Sequence, residues 1–334
     1  LEYPLSANKL RYVLFHLQQS LEYPAGLEKH FVFHTQGEPV PPQDQPSVIF
    51  PLAGKPLQPG QHARVQDIPV LFPGKNTDRF YSLDENNLVF HHDLLSSAFY
   101  LLSGYQEYEQ ANPDFSYTGS LQHQLGAVHI PLVNYYFELI IQGLEAFCRV
   151  HGYRIKRRRM SNSFVFLLTH DVDAINAYGF RETRFRVRQF FGLETRHESK
   201  WVSFLVMVRY VFYFLTKPIG RNPYWTFPFL HRVASRFSLA GTYFLLEKTR
   251  RYNKEARYRY TDRKILRLMR KLYRKNYEIG LHAAKGTAVD FNGLLRTFNH
   301  LQNVFPEEIS GVRHYTLQHL TPQTLAYQEK VDLE

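Results

Sequence analysis

Apolar residues follow one rhythm before about residue 160 and another after it. In the first stretch Leu10, Val13, Leu14 and Leu17 recur at steps of three and four, which predicts a helix over 8–21. Asp93 stands where it would cap a second helix, running to about Tyr108. Its Leu94, Leu95, Ala98, Phe99, Leu101 and Leu102 would form a broad apolar face. A third helix is predicted over 134–151. Short apolar runs at 47–50 and 68–72, bounded by proline and glycine, predict strands. The intervening stretches 37–46 and 51–60 are rich in Pro, Gln and Gly and read as loop.

Beyond the junction the runs are short, continuous and apolar: FVFLLT at 164–169, GTYFLL at 241–246, YEIGL at 277–281, and a fourth at 309–312. Such runs suit strands buried on both faces. Helical stretches at 227–237, 262–275 and 290–304 separate the later ones. This alternation predicts parallel β/α units, in which chemistry collects at the carboxyl ends of strands. Between the two regimes lies YRIKRRRMSNS, with four consecutive cations from Lys156 to Arg159, which reads as a solvated linker or a strand edge. The predicted organisation is an α+β domain over 1–155, a basic linker over 156–163 and an α/β domain over 164–334.

The 334 residues carry 41 Lys and Arg against 30 Asp and Glu, for a net charge of +11. That excess favours anionic partners: nucleic acid, acidic membrane or phosphorylated substrate. Aromatic residues are dense, but they lie mostly in apolar runs, so core packing explains them better than base stacking does. No phosphate-binding loop, dinucleotide fingerprint or GxSxG elbow occurs. The single cysteine, Cys148, excludes an internal disulfide framework and suits a reducing compartment. No secretory signal pattern opens the sequence, so a cytoplasmic protein is expected. Residues 201–216, WVSFLVMVRYVFYFLT, are short of a membrane span and are interrupted by Arg209. They predict a buried or interfacial helix, and the charged 217–221 that follows would suit lipid headgroups, making peripheral membrane contact an expectation.

Candidate chemistry closes three of the four later runs: Thr169-His170-Asp171-Val172-Asp173 after the first, His282 after the third, and Arg313-His314-Tyr315 after the fourth. In extended backbone Asp171 and Asp173 share a side. Two adjacent carboxylates resist joint ionisation unless a cation or donor intervenes. A divalent metal would serve, with one Asp as ligand and the other as base. A helix cap, or ion pairs with Arg181 and Arg184, would equally explain the spacing. His91-His92-Asp93 reads as a surface cap, and Cys148 as core.

THDVD after an apolar strand, then GTYFLL, EIGLH and GVRH in that order, resembles the polysaccharide deacetylase family, the NodB-like enzymes of carbohydrate esterase family 4. NPYWTFPFL before the second strand and LLSGYQEYE near residue 101 resemble a bacterial branch with an extra N-terminal domain. The resemblance spans 164–334. It implies a (β/α) barrel, a divalent ion (zinc in most members), and removal of an acetyl group from an N-acylated amino sugar in surface-polysaccharide metabolism. The substrate could be lipid-linked or phosphorylated.

Carried over, Asp171 is the general base, Asp173 and His282 are metal ligands, and Arg313 supports the base or the substrate. The second histidine of the family's His-x-x-x-His falls on Gly286, and the Pro-aromatic continuation after the Arg is replaced by His314-Tyr315-Thr316. Either His170, His314 or water completes the ligand set, or metal binding has been lost. The alternative function is a carbohydrate-binding or assembly protein that keeps the barrel without hydrolysis. Four strands fall short of a closed barrel, which takes about 200 to 250 residues. An incomplete barrel is therefore expected, with 309–313 as an open edge covered by the N-terminal domain or by a second copy.

Overall fold

The chain divides into two units, Leu1–Phe164 and Val165–Glu334. This computed structural model describes residues 5–22, 24–57, 60–75, 78–110, 117–158, 165–195, 197–216, 222–248, 256 and 258–333. The expectations for 159–164 and 217–221 therefore lie outside the described residues.

The first unit opens with α1 (Ala7–Gln18) and β1 (Leu21–Glu22), followed by β2 (Phe31–Thr35), β3 (Ser47–Leu52), β4 (Ala63–Val65), β5 (Ile68–Val70), β6 (Tyr81–Leu83) and β7 (Asn87–Phe90). It ends with α2 (Leu94–Leu102), α3 (Tyr105–Gln110), α4 (Leu121–Gln124), α5 (Leu132–Val150) and β8 (Lys156–Arg157). Its sheet has the order β2-β3-β7-β6, with β6 alone antiparallel. Every residue of the central β3 is buried, which is why it reads as a continuous apolar run. Phe50 stacks on Phe90 at 4.8 Å, and Gly143 of α5 makes room for that ring, since a Cβ there would come within 2.8 Å of it.

Three expectations change here. The helix capped by Asp93 stops at Leu102 and resumes as α3 only after Gly104, whose φ of +60° breaks the helical path. The linker expected over 156–163 begins instead as a strand edge, the other reading of the basic run: Lys156 and Arg157 form β8, paired antiparallel with β1. His92 and Asp93 are buried rather than at the surface. The Asp93 carboxylate accepts from the Ser96 amide at 2.7 Å, capping α2, and from the Ala53 amide at 2.5 Å. Burial pushes its pKa up to about 6 despite these donors. Cys148 is buried on α5, and burial raises its thiol to about 11, as befits a core residue.

The second unit runs β9 (Leu168–Val172), α6 (Phe180–Phe190), α7 (Lys200–Thr216), α8 (Phe227–Arg236), β10 (Gly241–Leu245), α9 (Arg263–Tyr273), β11 (Glu278–Ala283), α10 (Phe291–Val304), β12 (Val312–His314) and α11 (Gln323–Glu329). The four strands form one parallel sheet in sequence order, β9-β10-β11-β12, curled as half of a barrel. One face, with Tyr243, Leu245, Ile279 and Leu281, packs in a core with Ile265, Leu268, Met269 and Leu272 of α9 and Leu294 and Leu301 of α10. Among the described residues no helix is long and apolar enough to cross a membrane. On α7 only Ser203 is buried, and Trp201, Leu205, Val208, Phe212 and Leu215 form an exposed stripe.

The first strand of this unit lies four residues later than its apolar run suggests. Val165, Phe166 and Leu167 are exposed, and pairing begins with Leu168 opposite Gly241. A Cβ at 241 would stand 2.7 Å from the Leu168 carbonyl, so the glycine permits this close approach.

Candidate active site

The shift places Asp171 inside β9 rather than after it. Alternation then turns Thr169, Asp171 and Asp173 to the open face of the sheet, and Leu168, His170 and Val172 to the packed face. The same open face receives Phe244 from β10, opposite Asp171 in register, and Arg313 and His282, opposite each other on β12 and β11.

Arg313 ties this face together. Its Nη1 donates to Asp171 Oδ1 at 3.0 Å and its Nη2 to Thr169 Oγ1 at 2.9 Å, while its guanidinium lies 4.6 Å from the centre of the Phe244 ring. Phe244 can lie flat across the sheet because position 280 has no side chain. A Cβ there would stand 2.6 Å from the ring.

His282 is buried beneath the acids. Its Nδ1 donates to the Arg313 carbonyl at 2.8 Å, which turns Nε2 toward Asp173 Oδ1 at 3.4 Å. A proton or a cation shared between Nε2 and the carboxylate suits that distance. Two ligands of a tetrahedral zinc, each about 2.05 Å from the ion, stand about 3.3 Å apart, so Asp173 and His282 fit as two of its ligands. A zinc site takes at least three, and no group of three or more His, Cys, Asp or Glu suited to a metal occurs among the described residues.

His170 and His314, the expected candidates for a third ligand, lie on the packed face. His170 stacks on Tyr243 at 4.7 Å, and burial lowers its pKa against the pull of Asp171. His314 is buried with neither ring nitrogen hydrogen-bonded, and burial, reinforced by His319 and His282, depresses it to about 4. Gly286 sits at φ +84° with no atom within 4 Å of a Cβ, and its amide donates to Gln318 Oε1 at 3.0 Å.

Asp171 and Asp173 open onto a cleft of about 740 Å³ whose other walls include Arg181, Glu182, Tyr224 and Thr226. That volume lies within the range of small-molecule sites. Behind it, the Tyr258 hydroxyl donates to the Val172 carbonyl and accepts from the Leu246 amide at 2.9 Å. The Tyr260 hydroxyl donates to the Leu245 carbonyl at 2.8 Å, and Glu247 accepts from the Tyr260 amide and pairs with His300 at 2.6 Å. These bonds hold the carboxyl ends of β9 and β10 in place. Sequence reasoning assigned none of these supporting residues. Their only signal is the pair of tyrosines two apart at 258 and 260, which fall between predicted elements.

Residues 6–148, within the first unit, match the model of a family of unknown function, DUF7033. Comparison with curated proteins gave no match, and comparison with solved structures gave none.

Proposed function

We propose that the second unit is an acyl hydrolase of the polysaccharide deacetylase type, removing the acetyl group from an N-acylated amino sugar of a bacterial surface polysaccharide. The observation that carries this reading is the pairing of Asp171 with Arg313 beside an Asp173–His282 couple, on one open face above a cleft. Arg313 holds the Asp171 carboxylate in one orientation through the 3.0 Å bond, as a general base requires. Asp171 takes a proton from water as the water oxygen attacks the amide carbonyl. The C–N bond then breaks as Asp171 passes that proton to the amine, which leaves, and the acyl group is released as the acid. Asp173 and His282 would be two ligands of a divalent ion, which when bound would polarise the carbonyl and its attacking water.

The two-donor set and Gly286 favour a second reading, a carbohydrate-binding or assembly module that retains this fold without turnover. Acetate release from N-acetylglucosamine oligomers, measured after chelation and again with added zinc, manganese or cobalt, separates the two. Hydrolysis predicts that Asp171→Asn abolishes release and leaves metal uptake intact, whereas Asp173→Asn weakens both. Oligomer binding without release under every metal would favour the second reading. Release unaffected by Asp171→Asn would defeat the proposed base.

A further inference from the structure

A second concavity in this unit, distinct from the catalytic cleft, lies between α8 and α9. It encloses about 350 Å³ over an apolar floor of Trp225, Phe227, Leu268 and Leu272. Its rim is cationic: Lys264, Arg267, Lys271 and Lys275 line it together with His231, and no Asp or Glu does. Arg267 and Lys271 stand one turn apart on α9, and Lys275 follows in the turn after its end. Like charges at that spacing repel and destabilise a helix. Among the described residues none of the four cations has an ion-pair partner; Lys264 instead lies 4.2 Å over the Trp225 ring. On the side of α8 away from the groove Phe229 and Val233 are exposed, four apart, and Phe237 follows the helix end.

An apolar trough under an unneutralised cationic row has the chemistry of an anionic amphiphile. The volume is at the small end for ligand sites, room for a headgroup and the first part of one chain. We infer that the α8–α9 groove binds an anionic phospholipid at a membrane surface. Its phosphate rests on the 267–271–275 row, and its chain enters over Trp225 and Leu268. This site is independent of the reading of the acid pair as catalytic.

The test uses Trp225 emission in the Trp201→Phe background, with phosphatidylcholine vesicles alone or mixed with phosphatidylglycerol. Mixed vesicles should shift the emission to the blue and pure phosphatidylcholine should not. Arg267→Gln/Lys271→Gln should weaken binding about thirtyfold, because each removed cation contributes roughly a factor of five at an anionic surface. Arg11→Gln/Lys29→Gln in the first unit, an equal loss of charge, should leave binding within about twofold. Lys271→Glu should lose binding while keeping its melting temperature close to that of the unsubstituted chain, since the attraction it gains to Arg267 offsets the acid it puts in the last turn of α9. Equal weakening by the two double variants would reduce the effect to net charge and overturn the site. Equal binding to pure phosphatidylcholine would overturn it as well. So would glycerol phosphate, without a chain, reproducing the emission shift.

Discussion

Gly286 stands where the proposed deacetylase reading would want a second histidine ligand, and its backbone shows what a side chain there would entail. At φ +84° an L side chain is strained, by about 1 to 2 kcal/mol in the left-handed region. Gly286→His should therefore lower stability by about that much, and zinc affinity should not rise, because the imidazole would leave from a backbone set for glycine. A zinc titration showing a gain of about a hundredfold would mean that the loop can rebuild a three-ligand set. The residues on the open face were legible in the sequence because Asp171, Asp173, His282 and Arg313 each interrupt or close an apolar run. Their supports were not. Phe244, Tyr258 and Glu247 are ordinary members of a strand or loop by type, and only the register gives them a partner.

At the scale of elements, the sheet depends on positions that carry no side chain. Gly280→Ala would push a Cβ to within 2.6 Å of the Phe244 ring and 3.0 Å of the Gly311 carbonyl. It should cost about 1 to 3 kcal/mol, as overpacking does, and should loosen the Arg313–Asp171 pair by displacing the ring beneath it. Urea unfolding followed by tryptophan emission measures the loss; an unchanged midpoint would show that the ring moves freely. The helices that pack on this sheet were legible to within a few residues, since α8, α9 and α10 each bury an apolar stripe. In the first unit β3 was legible as an apolar run, whereas β2 and β7 were not. Five and four residues long, with β2 half-buried throughout, they offer too few positions for a period to show. β9 was misplaced for a different reason. Its open face is polar, so the apolar run ends where the strand is only beginning.

For the molecule as a whole, the second unit holds both tryptophans, Trp201 and Trp225, and three histidines, His170, His231 and His314, with depressed pKa values. A histidine held neutral by folding binds its proton near pH 6.5 when unfolded but, for His314, only near 4 when folded. Between these values the unfolded state carries more protons, so stability falls as the pH drops from about 6.5 to about 4. For His314 the loss is up to about 3 kcal/mol. Unfolding followed by tryptophan emission should show this acid limb. His314→Leu should flatten it, and should also stabilise the unit near pH 7, because it removes two buried ring nitrogens that have no partner. An unchanged limb in that variant would assign the acid sensitivity to other groups.

The strand order β9-β10-β11-β12 is also the order in which the ribosome releases the chain. Each new strand finds its neighbour already made and adds to an edge, so no strand must be inserted between two others. Assembly can thus keep pace with synthesis, at about 5 to 20 residues per second, with each crossover helix covering the core face as its strand arrives. The sheet is in this sense a growing object rather than one that waits for its last residue.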